Sequence, residues 1–233
     1  MRDELFQNAA NLPAIVRENL ELFESFVSLC HQALRTILCC MSDALLTMDD
    51  TITVVENHHR EGEPSTTNIT LLHYPPNRSP AQIGQIQHTD IGSLTLLFTE
   101  QWGLQVLMPD TKTWAFIQPS ERQALVNVGD ALRFLSGKRL KSCLHRVIPP
   151  KGRYQQESRY SIAYFLRPEN EAVFECPDGQ WESAKTWHDM KFAMLGERHD
   201  VQNASQVATG GMCTDLSFDS PQEIPHDFQP NEV

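Results

Sequence analysis

Apolar positions along the chain follow two different periods. Between residues 13 and 46, Ile15, Leu22, Phe23, Phe26, Cys30, Leu34, Ile37, Leu38, Met41 and Leu45 recur at helical spacing. This predicts one long helix or two abutting ones, with Pro13 in the first turn. A helix with so wide an apolar face does not persist alone in water, so it is predicted to lie against a core. From residue 67 the runs shorten to "NITLLHY", "GQIQH", "SLTLLFT", "GLQVLM", "TWAFIQ", "ALVNV", "SCLHRVI" and "RYSIAYFL", separated by turn signals. Short strands at roughly ten-residue spacing predict an all-β sandwich or barrel, of which the jelly roll is one form. No long helical pattern separates these runs, which argues against a parallel α/β sheet. A further helix is predicted over 180–196 from Trp181, Ala184, Trp187, Met190 or Lys191, and Met194, with Gly196 as its stop.

Other segments are less regular. "TITVV" at 51–55 is ambiguous, a short strand by composition but with polar flanks, and His58 and His59 read as surface or packing residues. Residues 199–233 are polar, acidic and proline-containing, which predicts a tail without fixed structure. The chain is thus expected to form one domain over 1–198. Within it, 13–46 is a helical support, 67–168 the β core and 180–196 a C-terminal helix.

Charge refines this picture modestly. The net charge is −11, and six acids follow Arg198 with no Lys or Arg among them. The acidity is therefore largely a property of the tail, and nucleic acid is not an expected partner. No apolar run approaches a bilayer's thickness, and the N-terminus lacks a secretory pattern, so a cytoplasmic protein without a membrane partner is expected. Six cysteines contain no C-x-x-C pair, which argues against zinc, and Cys30, Cys39 and Cys40 read as reduced core residues. The sequons at Asn68, Asn77 and Asn203 read as chance matches.

The chemistry begins in "GQIQHTDIGSLTLLF" (84–98), where His88 and Asp90 stand two apart and so share a side of an extended chain. His145, inside the apolar run "SCLHRVI", is the best third member, far enough along to return beside the first strand. Two histidines and one carboxylate on one face of a metal make the facial triad of non-haem Fe(II) oxygenases, with positions left open. In "RYSIAYFL", alternation puts Arg159, Ser161, Ala163 and Phe165 on one face. An inward Arg159 needs a carboxylate, to which Ser161 adds a hydrogen bond. A dicarboxylate that also chelates iron bridges the two features, and 2-oxoglutarate is such a molecule.

The segments "HTDIGSLTLLF", "WGLQVL", "WAFIQP", "ALVNVGDALRFLSGKRLKSCLHRV" and "RYSIAYFL" resemble, in order, the 2-oxoglutarate and Fe(II)-dependent oxygenases of the isopenicillin-N-synthase type. The resemblance runs from about residue 70 to 168, and "TWHDMKF" resembles the terminal helix of fungal members. It implies a double-stranded β-helix (jelly-roll) core packed against the long N-terminal helix. It implies Fe(II) held by His88, Asp90 and His145, and 2-oxoglutarate held by Arg159 and Ser161. Tyr74 matches a cosubstrate-contacting tyrosine, although Leu72 stands where the family usually has Asn, and Phe165 matches a substrate-side aromatic. The implied activity is oxidation of a C–H bond of a small metabolite with O2, releasing succinate and CO2, in secondary metabolism.

Family members generally carry a further N-terminal region that covers part of the substrate mouth, whereas this sequence starts close to the helix. It reads as a truncated form, a form whose exposed sheet edges a second copy covers, or a compact member. Binding of iron and 2-oxoglutarate without turnover, or an oxidase that does not consume 2-oxoglutarate, are the alternative functions. Arg139 and Arg146 read as structural or surface residues, Trp102, Trp114 and Phe116 as core or rim, and Asp130 as a turn residue.

Overall fold

A computed structural model describes residues 12–48, 55–76, 85–148 and 156–212. The N-terminal pattern forms two abutting helices, α1 (Ala14–Glu18) and α2 (Leu20–Met48). Asn19 breaks them: its φ is −125°, and its side-chain amide donates to Ile15 O at 2.9 Å. Val27, Cys30, Leu34, Leu38 and Leu45 form the buried stripe of α2. Ile15 and Leu22, predicted inward, are 62% and 67% exposed, because the stripe rotates to favour Val16 and Val27. Of the three helix cysteines, Cys30 is buried, Cys39 half-buried and Cys40 exposed, since consecutive helical residues cannot share one face.

All eight short runs from residue 67 contain strands, in two antiparallel four-stranded sheets. One sheet has the order β1 (Asn68–Tyr74), β8 (Arg159–Leu166), β3 (Leu94–Phe98), β6 (Leu125–Val128). The other has the order β2 (Gln85–His88), β7 (His145–Val147), β4 (Leu104–Leu107), β5 (Trp114–Phe116). The α2 stripe packs on Leu94, Leu96, Tyr164 and Leu166 of the first sheet. Burying these side chains stabilises the fold by about 1.5–3 kcal/mol apiece. The inner faces of the two sheets are thereby free to line a cavity.

Several elements depart from the sequence reading. Val55 belongs to a 3-10 turn (Val55–His58) and not to a strand, and 51–54 lie outside the described residues. Trp181–Ser183 is a strand, β10, paired with β9 (Val173–Glu175), so the C-terminal helix α4 starts later and spans Ala184–Leu195. The Ser183 hydroxyl accepts from Thr186 N at 3.1 Å and caps it. Asp130 is not a turn residue but the first residue of a short helix, α3 (Asp130–Leu135), and is fully buried. Residues 199–212 are folded, with helix α5 (His199–Ala204) and a buried Ala208. The acidity that suggested disorder falls almost wholly later: of the six tail acids, Asp200 alone lies in this segment. Residues 213–233, including Cys213, lie outside the described residues, as does the sequon at Asn77.

Candidate metal and cosubstrate site

His88 and His145 are brought together by strand register. They are direct partners across β2 and β7, with ring centroids 4.2 Å apart. Asp90 is not on a strand: β2 ends at His88, and Asp90 opens the turn into β3. Its Oδ1 still lies 3.9 Å from His88 Nε2 and 3.7 Å from His145 Nε2. The turn is held from below by α3, whose Asp130 N–H donates to Asp90 O at 2.8 Å. Gly129 is needed there, because a Cβ on it would stand 2.3 Å from Gly92 O.

The triad offers one ligand atom per residue, all within 4.8 Å of one another. Neighbouring groups aim these atoms. His88 Nδ1 donates to Ile86 O at 2.8 Å, and His145 Nδ1 to Cys143 O at 2.9 Å, so each Nε2 lone pair points inward. Asp90 Oδ2 accepts from Thr95 Oγ1 at 2.6 Å and from Asn127 Nδ2 at 2.8 Å, which leaves Oδ1 for a metal. Thr95 and Asn127 face each other across β3 and β6, so one register places both donors. Burial, then the neighbouring His145, push His88 down and hold it neutral. Burial would raise Asp90, but the two histidines and these hydrogen bonds outweigh it and keep it ionised. Burial would lower His145, but Asp90 and Cys143 together outweigh it, so His145 is raised. A buried carboxylate among nitrogen donors with both outer nitrogens fixed suits a divalent cation such as Fe(II).

The triad opens into a cavity of about 470 Å³ that also contains Arg159, Ser161, Tyr74 and Phe165. Arg159 is 7% exposed; its Nη1 donates to Ser161 Oγ at 3.3 Å, and its Nε has no partner among the described residues. Tyr74 is the cross-strand partner of Arg159, and its ring lies 5.2 Å from the guanidinium. Leu72 is likewise the partner of Ser161. The Tyr74 hydroxyl donates to Gln85 Oε1 at 3.2 Å. An arginine buried without a carboxylate partner among the described residues is half of an ion pair and suits an anionic ligand.

The residues set aside in the sequence take structural places. Arg146 is buried on Gln105 Oε1 (2.8 Å) and over Trp114 (4.1 Å). Trp102 and Phe116 stack edge-to-face, with centroids 6.3 Å apart. His59 is buried, with its Nε2 2.7 Å from Ser93 Oγ. Sequence reasoning missed Thr95, Asn127 and the buried pair Asp130–Lys191 behind the site. Asn127 left a signal, a polar residue interrupting "ALVNV". Lys191 left none, because its partner is 61 residues away.

A jelly roll that carries two histidines, one carboxylate and a buried arginine in one cavity has the donor set of the non-haem Fe(II) oxygenases. The 2OG-Fe(II) oxygenase superfamily matches residues 65–168. The chain is 55% identical over 203 residues to the 2-oxoglutarate-dependent dioxygenase iboH of Amanita muscaria, covering 86% of this chain and 98% of that protein. It is 45% identical to the 2-oxoglutarate-dependent dioxygenase FG08081 of Gibberella zeae, covering 88% of this chain but 61% of that longer protein. The crystal structure of a full-length Neurospora crassa protein in complex with alpha-KG and thymine superposes with a TM-score of 0.59 at 27% identity, over 73% of this chain and 55% of that one. The chain belongs to the 2OG-Fe(II) oxygenase superfamily. It is an oxidoreductase whose cofactor is Fe(II) and whose cosubstrate is 2-oxoglutarate.

Proposed function

We propose that this oxygenase oxidises a C–H bond of a small organic metabolite in fungal secondary metabolism, and that His88, Asp90 and His145 hold its iron. The observation that carries the residue assignment is the convergence of three ligand atoms within 4.8 Å at the wall of a cavity that also holds Arg159, which has no carboxylate partner among the described residues. When bound, Fe(II) and 2-oxoglutarate supply the oxidising chemistry, in which O2 is consumed and succinate and CO2 are released.

The chain's residues bind and orient. His88 Nε2, His145 Nε2 and Asp90 Oδ1 form one face, so the opposite side stays open to ligands. Arg159 and Ser161 hold the distal carboxylate of 2-oxoglutarate, and the Tyr74 ring walls that subsite. Phe165 borders the substrate. The apolar lining excludes bulk water, which strengthens the ionic contact at Arg159. A cytoplasmic location fits this reading, and no helix among the described residues is long and apolar enough to cross a membrane. A second copy covering an exposed sheet edge also belongs to this reading, and sedimentation velocity reads the oligomeric state directly.

Anaerobic titration with Fe(II) and then 2-oxoglutarate tests the site. A visible charge-transfer band is expected in the wild type and is lost in Arg159→Ala. Absence of the band in the wild type at saturating metal and cosubstrate would sink the assignment.

A further inference from the structure

Arg159 is not the sole buried arginine in this cavity. Arg167 follows β8 directly and continues the alternation that turns Arg159, Ser161, Ala163 and Phe165 inward. It is 7% exposed. Its Nη1 donates to Thr66 O and, at 2.6 Å, to Asn68 Oδ1, both neutral acceptors. Its Nε has no hydrogen-bond partner among the described residues. The guanidinium stands over the Phe165 ring at 5.2 Å. Phe165 and Asn68 line the main cavity, so the charged end is on the metal side of the sheet.

Among the described residues the nearby acids are already engaged. Asp90 gives Oδ2 to Thr95 and Asn127 and turns Oδ1 to the histidines. Glu169 is bound at 2.8 Å through both oxygens by Arg60. Burial lowers the Arg167 pKa to about 10, with the more distant Asp90 charge working against it, so the group is still a cation at neutral pH. A buried cation without an anion is unfavourable unless a ligand completes it. The two arginines lie at opposite ends of β8, about 26 Å apart at an ordinary strand rise. One 2-oxoglutarate molecule answers Arg159 and cannot reach Arg167. Gly92 clears the space for Arg167, since a Cβ there would meet its Cγ at 2.6 Å.

We infer that Arg167 is a substrate-recognising residue and that the substrate is a small molecule bearing a carboxylate. Asn68 orients the guanidinium, and Phe165 packs against the part of the substrate next to the acid. Phe192 and Leu195 of α4 add apolar wall to the same cavity, which fits a body without further charge. This inference rests on the oxygenase reading of the same cavity.

The test is calorimetric titration of the full chain, loaded with 2-oxoglutarate and with Zn(II) in place of Fe(II). The probes are matched acid and amide pairs with alkyl, aryl and amino-acid bodies. At least one acid is expected to bind ten-fold or more tightly than its amide. Arg167→Gln is expected to bring that ratio within two-fold, while Arg167→Lys keeps part of it. Affinity for 2-oxoglutarate stays within two-fold of wild type in both variants, which separates recognition from misfolding. A ratio that persists in Arg167→Gln, or no acid preferred over its amide by the wild type, overturns the inference. Failure of the wild type to bind 2-oxoglutarate overturns the oxygenase reading and this inference with it. Intact 2-oxoglutarate binding without acid preference overturns this inference alone.

Discussion

Asp90 has two oxygens with separate tasks. Oδ2 is tied by Thr95 at 2.6 Å and Asn127 at 2.8 Å, and Oδ1 is thereby turned toward the two imidazoles. Without the Asn127 amide the carboxylate can rotate, and the buried Oδ2 loses an acceptor bond. Groups that orient a metal ligand in this way typically contribute about 10–100-fold to metal affinity. Asn127→Ala is therefore expected to weaken Fe(II) binding by a factor in that range while leaving the β-sheet circular dichroism unchanged. Competition with a metal-sensing dye measures it, and an affinity equal to wild type would show that Thr95 alone suffices. His88 and Asp90 were legible as a pair in the sequence because they lie two apart. Their shared direction, though, comes from the turn after β2 and not from strand alternation. Asn127 was not assigned because its partner Thr95 lies on another strand, 32 residues away.

At the scale of elements, α4 is fastened behind the site by a buried ion pair. Lys191 Nζ meets Asp130 Oδ2 and also donates to Thr89 Oγ1 at 2.6 Å. Asp130 Oδ1 accepts from Ser142 Oγ at 2.8 Å. Burial lowers the Lys191 pKa, and Asp130 works against that. Lys191→Met leaves the Asp130 charge buried and unpaired, which is expected to destabilise the protein by about 3–5 kcal/mol. Adding Asp130→Asn should recover most of the loss, and urea unfolding of the single and double variants decides it.

The 3-10 turn is joined to the turn before β3 through His59, which bonds Val55 O at 3.0 Å and Ser93 Oγ at 2.7 Å. Burial pushes His59 down to about 3. In the unfolded chain an imidazole titrates near 6.5, so between these values the unfolded state binds a proton that the folded state does not. Stability from this group is present above pH 6.5 and is lost as pH falls toward 3. From pH 7 to pH 5 the wild type should lose about 2 kcal/mol more than His59→Gln. Parallel pH dependences of the two proteins would contradict this.

For the whole molecule, the triad is positioned by strand register, the turn and α3, with donors already fixed on both histidines. Metal removal is therefore expected to abolish 2-oxoglutarate binding without unfolding the chain. Chelation should leave far-UV circular dichroism unchanged and lower the melting temperature modestly. Restoring metal at about 100 times its dissociation constant should return about 2.7 kcal/mol. Collapse of the dichroism on chelation would instead make the metal part of the fold.

The sequence by itself marked the strands of both sheets and most of the helical stripe, and singled out His88, Asp90, His145, Arg159 and Ser161 as the candidates that the fold gathers around one cavity. Periodicity and short spacing are local properties, and a hydrophobic pattern can be read wherever one face is buried. The tertiary structure alone decided which residues serve those groups. Thr95 and Asn127 meet at Asp90 through register, and Lys191 meets Asp130 across 61 residues. It also decided that, among the described residues, no acid is hydrogen-bonded to Arg167, while Glu169, two residues on, is taken by Arg60. Buried polar groups are satisfied by whatever the fold brings near, and that pairing has no period along the chain.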